Sequence, residues 1–187
     1  MKKDGTYSGR IKILTVAVMT ALSIVVLCTS CAADLSSASI TFVRGTVVVS
    51  DEPISAPFEL SSNETVRCEE NALAVMQVSN AVKLVLRSGA ALTYAVNKSE
   101  GIINISFERG SVAGQIAKRG VTVHVTAGDV FVSSKKGSFD ITRDGDAIAL
   151  SVFDGTISVS YNNTNKELMA GDRFEKLADV YTVRKLT

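Results

Sequence analysis

The alternation of apolar and polar residues between positions 121 and 161 constrains the fold more than any other feature of this chain. Apolar side chains occupy every second position in four short runs, and glycine-containing segments interrupt the runs at residues 135–137, 144–146 and 154–155. Alternation with period two places one set of side chains on one face of a β-strand, and glycine supplies the positive φ of a tight hairpin. The stretch therefore predicts short antiparallel strands, joined by turns, with one buried face.

The rest of the chain after residue 40 repeats this pattern, with turn residues at intervals of roughly 8–12 positions, and no amphipathic helix is evident after residue 31. We therefore expect a single all-β domain over residues 40–187, built as a rolled antiparallel β-sandwich, a jelly roll or a β-solenoid-like coil. Three segments share an apolar residue followed, three and four places later, by glycine and a hydroxyl residue: 42–47, 107–112 and 152–157. Their unequal spacing does not indicate a true solenoid repeat.

The first 31 residues have the pattern of a secretory signal. Residues 1–12 are net positive, residues 13–28 carry no charge, and Thr29, Ser30 and Cys31 follow. Small residues before a cysteine resemble the lipobox of bacterial lipoproteins, although Cys28 occupies the place where leucine is usual. We expect a lipoprotein signal peptide over residues 1–30, a lipidated Cys31 and a tether over residues 31–39.

The alternative is an uncleaved signal helix that remains as a single membrane span. The uncharged stretch over residues 13–33 is long enough to cross a bilayer of ~30 Å at ~1.5 Å per residue. The first interpretation predicts a lipid-anchored protein on the periplasmic or surface face of the bacterial envelope, and the second a single-pass inner-membrane protein. Both place the β domain outside the cytoplasm.

The charged and nucleophilic residues do not form a recognisable catalytic or metal site. The chain has 20 basic and 19 acidic residues without a long basic cluster, which argues against nucleic acid as a partner. The one histidine, His124, alternates with buried positions and is predicted to face solvent, and residues 144–146 are predicted to form a β-turn rather than a calcium loop. Cys68 is predicted to be a partly buried strand residue. We therefore expect no enzymatic activity, no metal and no cofactor.

Several segments, taken in order, resemble the FecR domain, an all-β periplasmic module. The matching segments are Gly45-Thr46-Val47, residues 62–68, 74–92, 107–112 and 125–159, and Leu168 to Asp172. The strongest similarity lies in residues 125–159, with Gly137-Ser138-Phe139, Asp144-Gly145 and Gly155 at the family's turn positions. The resemblance implies a periplasmic β domain, and in FecR itself this domain belongs to a membrane-spanning regulator of a sigma factor.

The segments that flank this region differ from those of such a regulator. Twelve residues precede the apolar stretch, fewer than a sigma-binding domain needs. Our first hypothesis is therefore a non-enzymatic, lipid-anchored FecR-like protein that binds or scaffolds an envelope protein or a cell-wall component. The alternative is a membrane-spanning FecR-type regulator that signals to a sigma factor.

Overall fold

The protein is described by a computed structural model that covers residues 37–117 and 120–186. These residues form fifteen β-strands and contain no helix, so none of them belongs to a helix that could cross a membrane. The strands, in chain order, are β1 (Ala38–Arg44), β2 (Val47–Val49), β3 (Glu52–Ile54), β4 (Phe58–Leu60), β5 (Thr65–Cys68), β6 (Leu73–Val78), β7 (Val82–Leu86), β8 (Ala91–Asn97), β9 (Ile102–Ile116), β10 (Thr122–Ala127), β11 (Val130–Asp144), β12 (Ala147–Tyr161), β13 (Thr164–Met169), β14 (Asp172–Leu177) and β15 (Val180–Lys185). The predicted all-β domain is confirmed. Its first described strand begins at Ala38.

One continuous sheet folds back on itself to give two layers. Layer A has the strand order β3-β2-β5-β8-β9-β10-β11-β12-β13, and layer B has the order β4-β1-β6-β7-β9-β11-β12-β14-β15. The three fifteen-residue strands β9, β11 and β12 belong to both layers, each with one half in each layer. Covalent continuity through these strands therefore fixes how the two layers meet.

Glycines mark the places where the chain passes between the layers. Gly110 in β9, Gly137 in β11 and Gly155 in β12 have φ values of +88°, +129° and +79°, and Gly45 links β1 to β2 at φ +76°. Gly137 lies opposite Gly155, and a Cβ at Gly137 would stand 2.1 Å from the carbonyl oxygen of Asp154. Two of the three similar segments noted in the sequence thus lie at bends of long strands, and the third lies at the β1–β2 junction.

The expectation of separate short strands is therefore wrong at residues 135–137 and 154–155. Both segments lie inside continuous strands, where the pairing register of β11 and β12 shifts, and no chain reversal occurs. A glycine with positive φ serves a β-bulge as well as a hairpin, so the local sequence does not distinguish the two. The turn predicted at residues 144–146 is confirmed, because Asp144 pairs with Ala147 across Gly145 and Asp146.

A second departure from expectation is one parallel pairing. β9 and β10 run parallel, with Ile103 beside Val123 and Ile105 beside Val125. The chain leaves the end of β9 in layer B and returns to layer A before β10 begins, so β10 fits between the first halves of β9 and β11. The remaining pairings are antiparallel, as predicted.

The core lies between the layers and is almost entirely apolar. Leu92, Ile105 and Phe107 of layer A and Phe139 and Ile141 of layer B enclose one tightly packed interior region. Burial alternates along the central strands, such as β6, β7 and β10, as the sequence pattern predicts, and the edge strands β13 and β15 do not alternate. Removing about forty such side chains from water, at roughly 25 cal/mol per Å² of apolar surface, is the main source of stability.

Candidate functional site

The outward side of layer A carries a broad surface of short polar side chains, which we call the polar face. It consists of two rows that cross five strands: Asn104, His124, Ser133, Ser158 and Glu167 in one row, and Ser106, Thr126, Phe131, Ser160 and Asn165 in the other. Neighbours in each row are directly paired residues of adjacent strands. At about 4.8 Å between strands, the rows are about 19 Å long. Glu167 is the one carboxylate in the set, and none of the ten residues is lysine or arginine.

The polar face exists because inward positions of the same strands are apolar. Val123, Val125, Val132, Ile157 and Val159 point to the core, so the residues between them point to solvent. The face is therefore dictated by strand alternation, and its chemistry depends on which residues occupy the outward positions. Hydroxyl and amide groups donate and accept hydrogen bonds without a net charge, so this surface suits a polar, uncharged partner.

An aromatic pair interrupts the polar face. The rings of His124 and Phe131 lie on adjacent strands with centroids 5.0 Å apart and planes tilted by 57°. Phe131 is 37% exposed, which is high for a phenylalanine. Large rigid rings with an exposed surface are frequent contact anchors at protein interfaces. The prediction that His124 points outward is confirmed, while its contact with Phe131 depends on strand register.

Ser133 lies directly opposite His124 in the ladder. In the described part of the chain, no hydrogen bond joins the hydroxyl of Ser133 to the imidazole of His124. A serine nucleophile needs a base within hydrogen-bond reach that is itself oriented by a third group. Ser133 and His124 can therefore contact a partner, but they are not arranged as a catalytic dyad.

Two shallow depressions border the polar face. One, of about 430 Å³, is lined by Ser133, Ser158 and Glu167 together with Lys135 and Lys136 from the bend of β11. The other, of about 580 Å³, lies at the far end beside Phe131, Ser160 and the Asn162-Asn163 turn. Both are open to solvent and are lined mostly by residues with polar side chains, although much of the lining surface of the first is aliphatic. Lys135 and Lys136 are solvent-exposed as predicted, but they lie in a bulged strand instead of a turn.

A second exposed surface is the C-terminal hairpin of β14 and β15. Leu177 is 72% exposed, Val180 67% and Val183 43%, which makes this hairpin the most apolar exposed element described. Ion pairs brace the hairpin, with Lys185 Nζ 2.6 Å from Asp172 Oδ1 and Arg184 2.8 Å from Glu175. The Lys185 hydrogen bond holds the pKa of Asp172 below its usual value of 3.8, with a further contribution from the Met169 backbone N–H.

One lysine of the hairpin is buried. Lys176 Nζ lies 2.7 Å from Asp129 and 5.2 Å from the centre of the Tyr161 ring, and its side chain is 6% exposed. The hydrogen bond to Asp129 raises the pKa of Lys176 above its usual value of 10.5, against the opposing effect of burial. Asp129 belongs to the β10–β11 turn, so this ion pair joins layer B to layer A.

Cys68 ends β5 in the interior, as the sequence predicts for a small buried residue. Its thiol points to the Leu86 carbonyl oxygen at 3.8 Å, and burial raises its pKa to about 11. A thiol with this pKa is almost entirely protonated at neutral pH and is therefore a poor nucleophile. Nothing in its surroundings indicates a reactive or pairing role.

The other predicted sites are either outside the described residues or without ligands. Cys31, the signal peptide over residues 1–30 and the alternative span over residues 13–33 all lie outside the described part of the chain. Among the described residues, no group of three His, Cys, Asp or Glu side chains is placed to hold a metal ion. The polar face was not predicted as a site, because it requires strand pairing between distant segments. The exposed hairpin was not predicted either, because its exposure depends on its position at the edge of layer B.

The described residues thus form a two-layer β domain whose candidate site is an open polar face and not an enclosed pocket. No family model matches the chain. No curated protein matches it either. Among solved structures, two crystal structures of a "putative anti-sigma factor" from Parabacteroides distasonis ATCC 8503, at 1.65 and 2.50 Å resolution, have a similar fold.

The similarity to the Parabacteroides distasonis protein is structural. The TM-scores are 0.59 and 0.58, with 13% and 14% identity over 65% of this chain. The matched region spans 59% of the length of each of those chains. At this identity the comparison shows a shared fold and does not transfer an activity.

Proposed function

We propose that this protein is a non-enzymatic binding module with a regulatory role in the bacterial cell envelope, held at the membrane by lipid on Cys31. The fold shared with the Parabacteroides distasonis protein is the observation that carries the regulatory part of this proposal. The resemblance to the FecR domain over residues 40–172 points in the same direction. The signal-like residues 1–31 support the location, since they combine a basic start, an apolar stretch and a terminal cysteine.

The polar face is the surface that supports binding best. Ten outward residues from five strands form a nearly uncharged area with the exposed His124–Phe131 pair within it. An aromatic anchor surrounded by hydroxyl and amide groups is similar in composition to antibody paratopes, whose interfaces are polar and wet. The partner is expected to be an envelope protein with a polar contact surface, and long-range electrostatic attraction contributes little to the encounter.

Photo-crosslinking in the native cell tests the binding proposal. A photoreactive amino acid is placed at Ser158, within the polar face, and in a matched control at Lys83, an exposed residue of β7 in layer B. The proposal expects a discrete adduct from position 158 that contains a membrane signalling protein, and no such adduct from position 83. Adducts with cell-wall material or structural lipoproteins alone would contradict the regulatory role and favour a scaffold. Identical adducts from both positions would exclude the polar face as the site.

Metabolic labelling tests the anchor separately. Radiolabelled palmitate is expected to enter the wild-type protein and not a Cys31→Ser variant, because only a processed Cys31 carries acyl chains. Equal labelling of both proteins would contradict the lipid anchor. An intact N-terminus in the membrane fraction would instead support the membrane-spanning alternative, which the uncharged stretch over residues 13–33 favours.

A further inference from the structure

β15 is an edge strand whose outer side pairs with nothing in the described part of the chain. Its one partner is β14, and it stands at the end of the strand order of layer B. Exposed edges of this kind can recruit another strand, and proteins usually protect them with proline, bulges, charged side chains or short length. The charged side chains of β15, Arg184 and Lys185, are confined to its C-terminal end. β15 is six residues long, contains no proline and follows β14 without a register shift. It also carries the exposed Val180 and Val183.

The backbone direction of β15 decides which residues can accept a new strand. Leu186 N–H donates to the Gly171 carbonyl oxygen at 2.7 Å, so Leu186 is turned toward the β14 side. Backbone groups alternate in direction along an antiparallel strand. Val180, Thr182 and Arg184 therefore face β14, whereas the N–H and C=O groups of Tyr181, Val183 and Lys185 face the free edge.

A second copy of β15 can pair with these free backbone groups when it runs antiparallel to the first copy, with a two-fold axis at Thr182. In this register Tyr181 of one copy faces Val183 of the other, and each pair exchanges two backbone hydrogen bonds through groups that are otherwise free. The register also keeps the inward faces of the two copies on the same side, which a shift by one residue would reverse. The symmetry is isologous, as in most soluble homodimers.

The side chains are complementary in the same register. Asp179, in the turn before β15, would lie near Lys185 of the other copy, a lysine that also contacts Asp172 of its own chain, so opposite charges would meet at both ends of the paired strands. Val180 would pack against the aliphatic part of Arg184 of the other copy. The partly exposed Val183 is covered by Tyr181 of the other copy. The two lysines and the two arginines of the pair are not placed opposite each other. The backbone hydrogen bonds, the facing of the side chains and the positions of the charges thus all favour the register with Thr182 on the two-fold axis.

We propose that two copies of this protein associate edge to edge through β15, with Thr182 on the two-fold axis. The contact involves one strand from each copy, so it is much smaller than the ~1,600 Å² of a standard interface. The association is therefore weak and concentration-dependent, and covalent trapping is the suitable assay. The proposal does not depend on the polar face or on the identity of any other partner.

Disulfide trapping of the full-length protein in its native membrane tests this geometry. Paired Thr182 residues form a non-hydrogen-bonded pair with a Cα–Cα distance of ~4.5 Å, which a disulfide can span. Thr182→Cys is expected to give a dimer band under mild oxidation. Val183→Cys is the matched control on the same strand, because its copies lie beyond the ~7 Å limit for a disulfide. The wild-type protein accounts for any background from its own three cysteines.

A proline variant separates association from folding. Val183→Pro removes an N–H that no strand among the described residues of the same chain uses, so an edge strand tolerates it, but two hydrogen bonds between the copies are lost. The Thr182→Cys/Val183→Pro protein is expected to retain its circular dichroism spectrum and to lose the dimer band. The proposal is overturned if Thr182→Cys gives no dimer band, if Val183→Cys crosslinks equally well, or if the proline variant crosslinks as efficiently as Thr182→Cys alone.

Discussion

Replacing Gly137 by alanine tests the idea that the long strands bend between layers at glycines. A Cβ at this position would stand 2.1 Å from the Asp154 carbonyl oxygen, which is backbone and cannot rotate away. The φ of +129° is also one that residues with a side chain rarely adopt. Backbone strain of about 1–3 kcal/mol and overpacking of similar size together predict a loss of about 2–6 kcal/mol in the free energy of unfolding.

Gly145→Ala is the matched control. Gly145 also has a positive φ, +56°, but it lies in the β11–β12 turn, where an added Cβ meets nothing within 4 Å. Its cost should be limited to the left-handed conformation, about 1–2 kcal/mol. Urea denaturation followed by far-ultraviolet circular dichroism measures both, since the chain has no tryptophan. Equal losses for Gly137→Ala and Gly145→Ala would refute the argument that close approach of two strands makes glycine necessary at the bend.

Three further predictions concern single side chains. Asp129→Asn should destabilise the protein more than Lys176→Met in urea denaturation. Asp129→Asn leaves the buried ammonium of Lys176 without its partner, whereas Lys176→Met leaves the half-exposed carboxylate of Asp129 in contact with water. A larger loss of stability for Lys176→Met would contradict this prediction. Cys68 should react with a thiol reagent at pH 8 only after unfolding, since its pKa is about 11 and it is buried; rapid labelling of the native protein would contradict it. Asp172 has a folded-state pKa below 3.8, so its contribution to stability is complete above pH 3.8 and is lost as the pH falls through the folded pKa. Asp172→Asn should therefore reduce the acid sensitivity of the C-terminal hairpin, measured by hydrogen exchange at a series of pH values. An exchange profile equal to that of the wild-type protein would contradict this prediction.

The alternation of apolar residues was sufficient to predict strands and burial. Val123 and Val125 are buried and His124 between them faces outward, as period two requires. The turn at residues 144–146 was also predictable, because Asp-Gly favours a two-residue hairpin. These features depend on interactions within a few residues of one another, which is the range over which sequence patterns are informative.

Features that depend on distant segments were not predictable from the sequence. Gly137 and Gly155 have the same local signature as Gly145, and only their pairing with each other shows that they lie at a bend and not at a turn. The sequence gives no clear strand signal for β13, because most of its side chains are polar and only Leu168 is buried, which is typical of an edge strand. The parallel position of β10 follows from a crossover between layers that leaves no pattern in the sequence.

The polar face was unpredictable for the same reason. Each outward residue, such as Ser133 or Ser158, is unremarkable in its own strand, and the rows appear only when the registers of four strand pairings are known. The contact between His124 and Phe131 likewise joins residues of two strands. A local sequence signal could have indicated only that these side chains face solvent.

The transcript profile of a strain that lacks this gene tests the proposed regulatory role most directly. The deletion strain is complemented with the wild-type protein or with Ser158→Arg, which places a bulky charge within the polar face without replacing a buried residue. The account predicts that deletion changes one discrete set of transcripts, that the wild-type protein restores it and that Ser158→Arg does not. An unchanged profile on deletion, or full restoration by Ser158→Arg, would contradict a regulatory function exercised through this face.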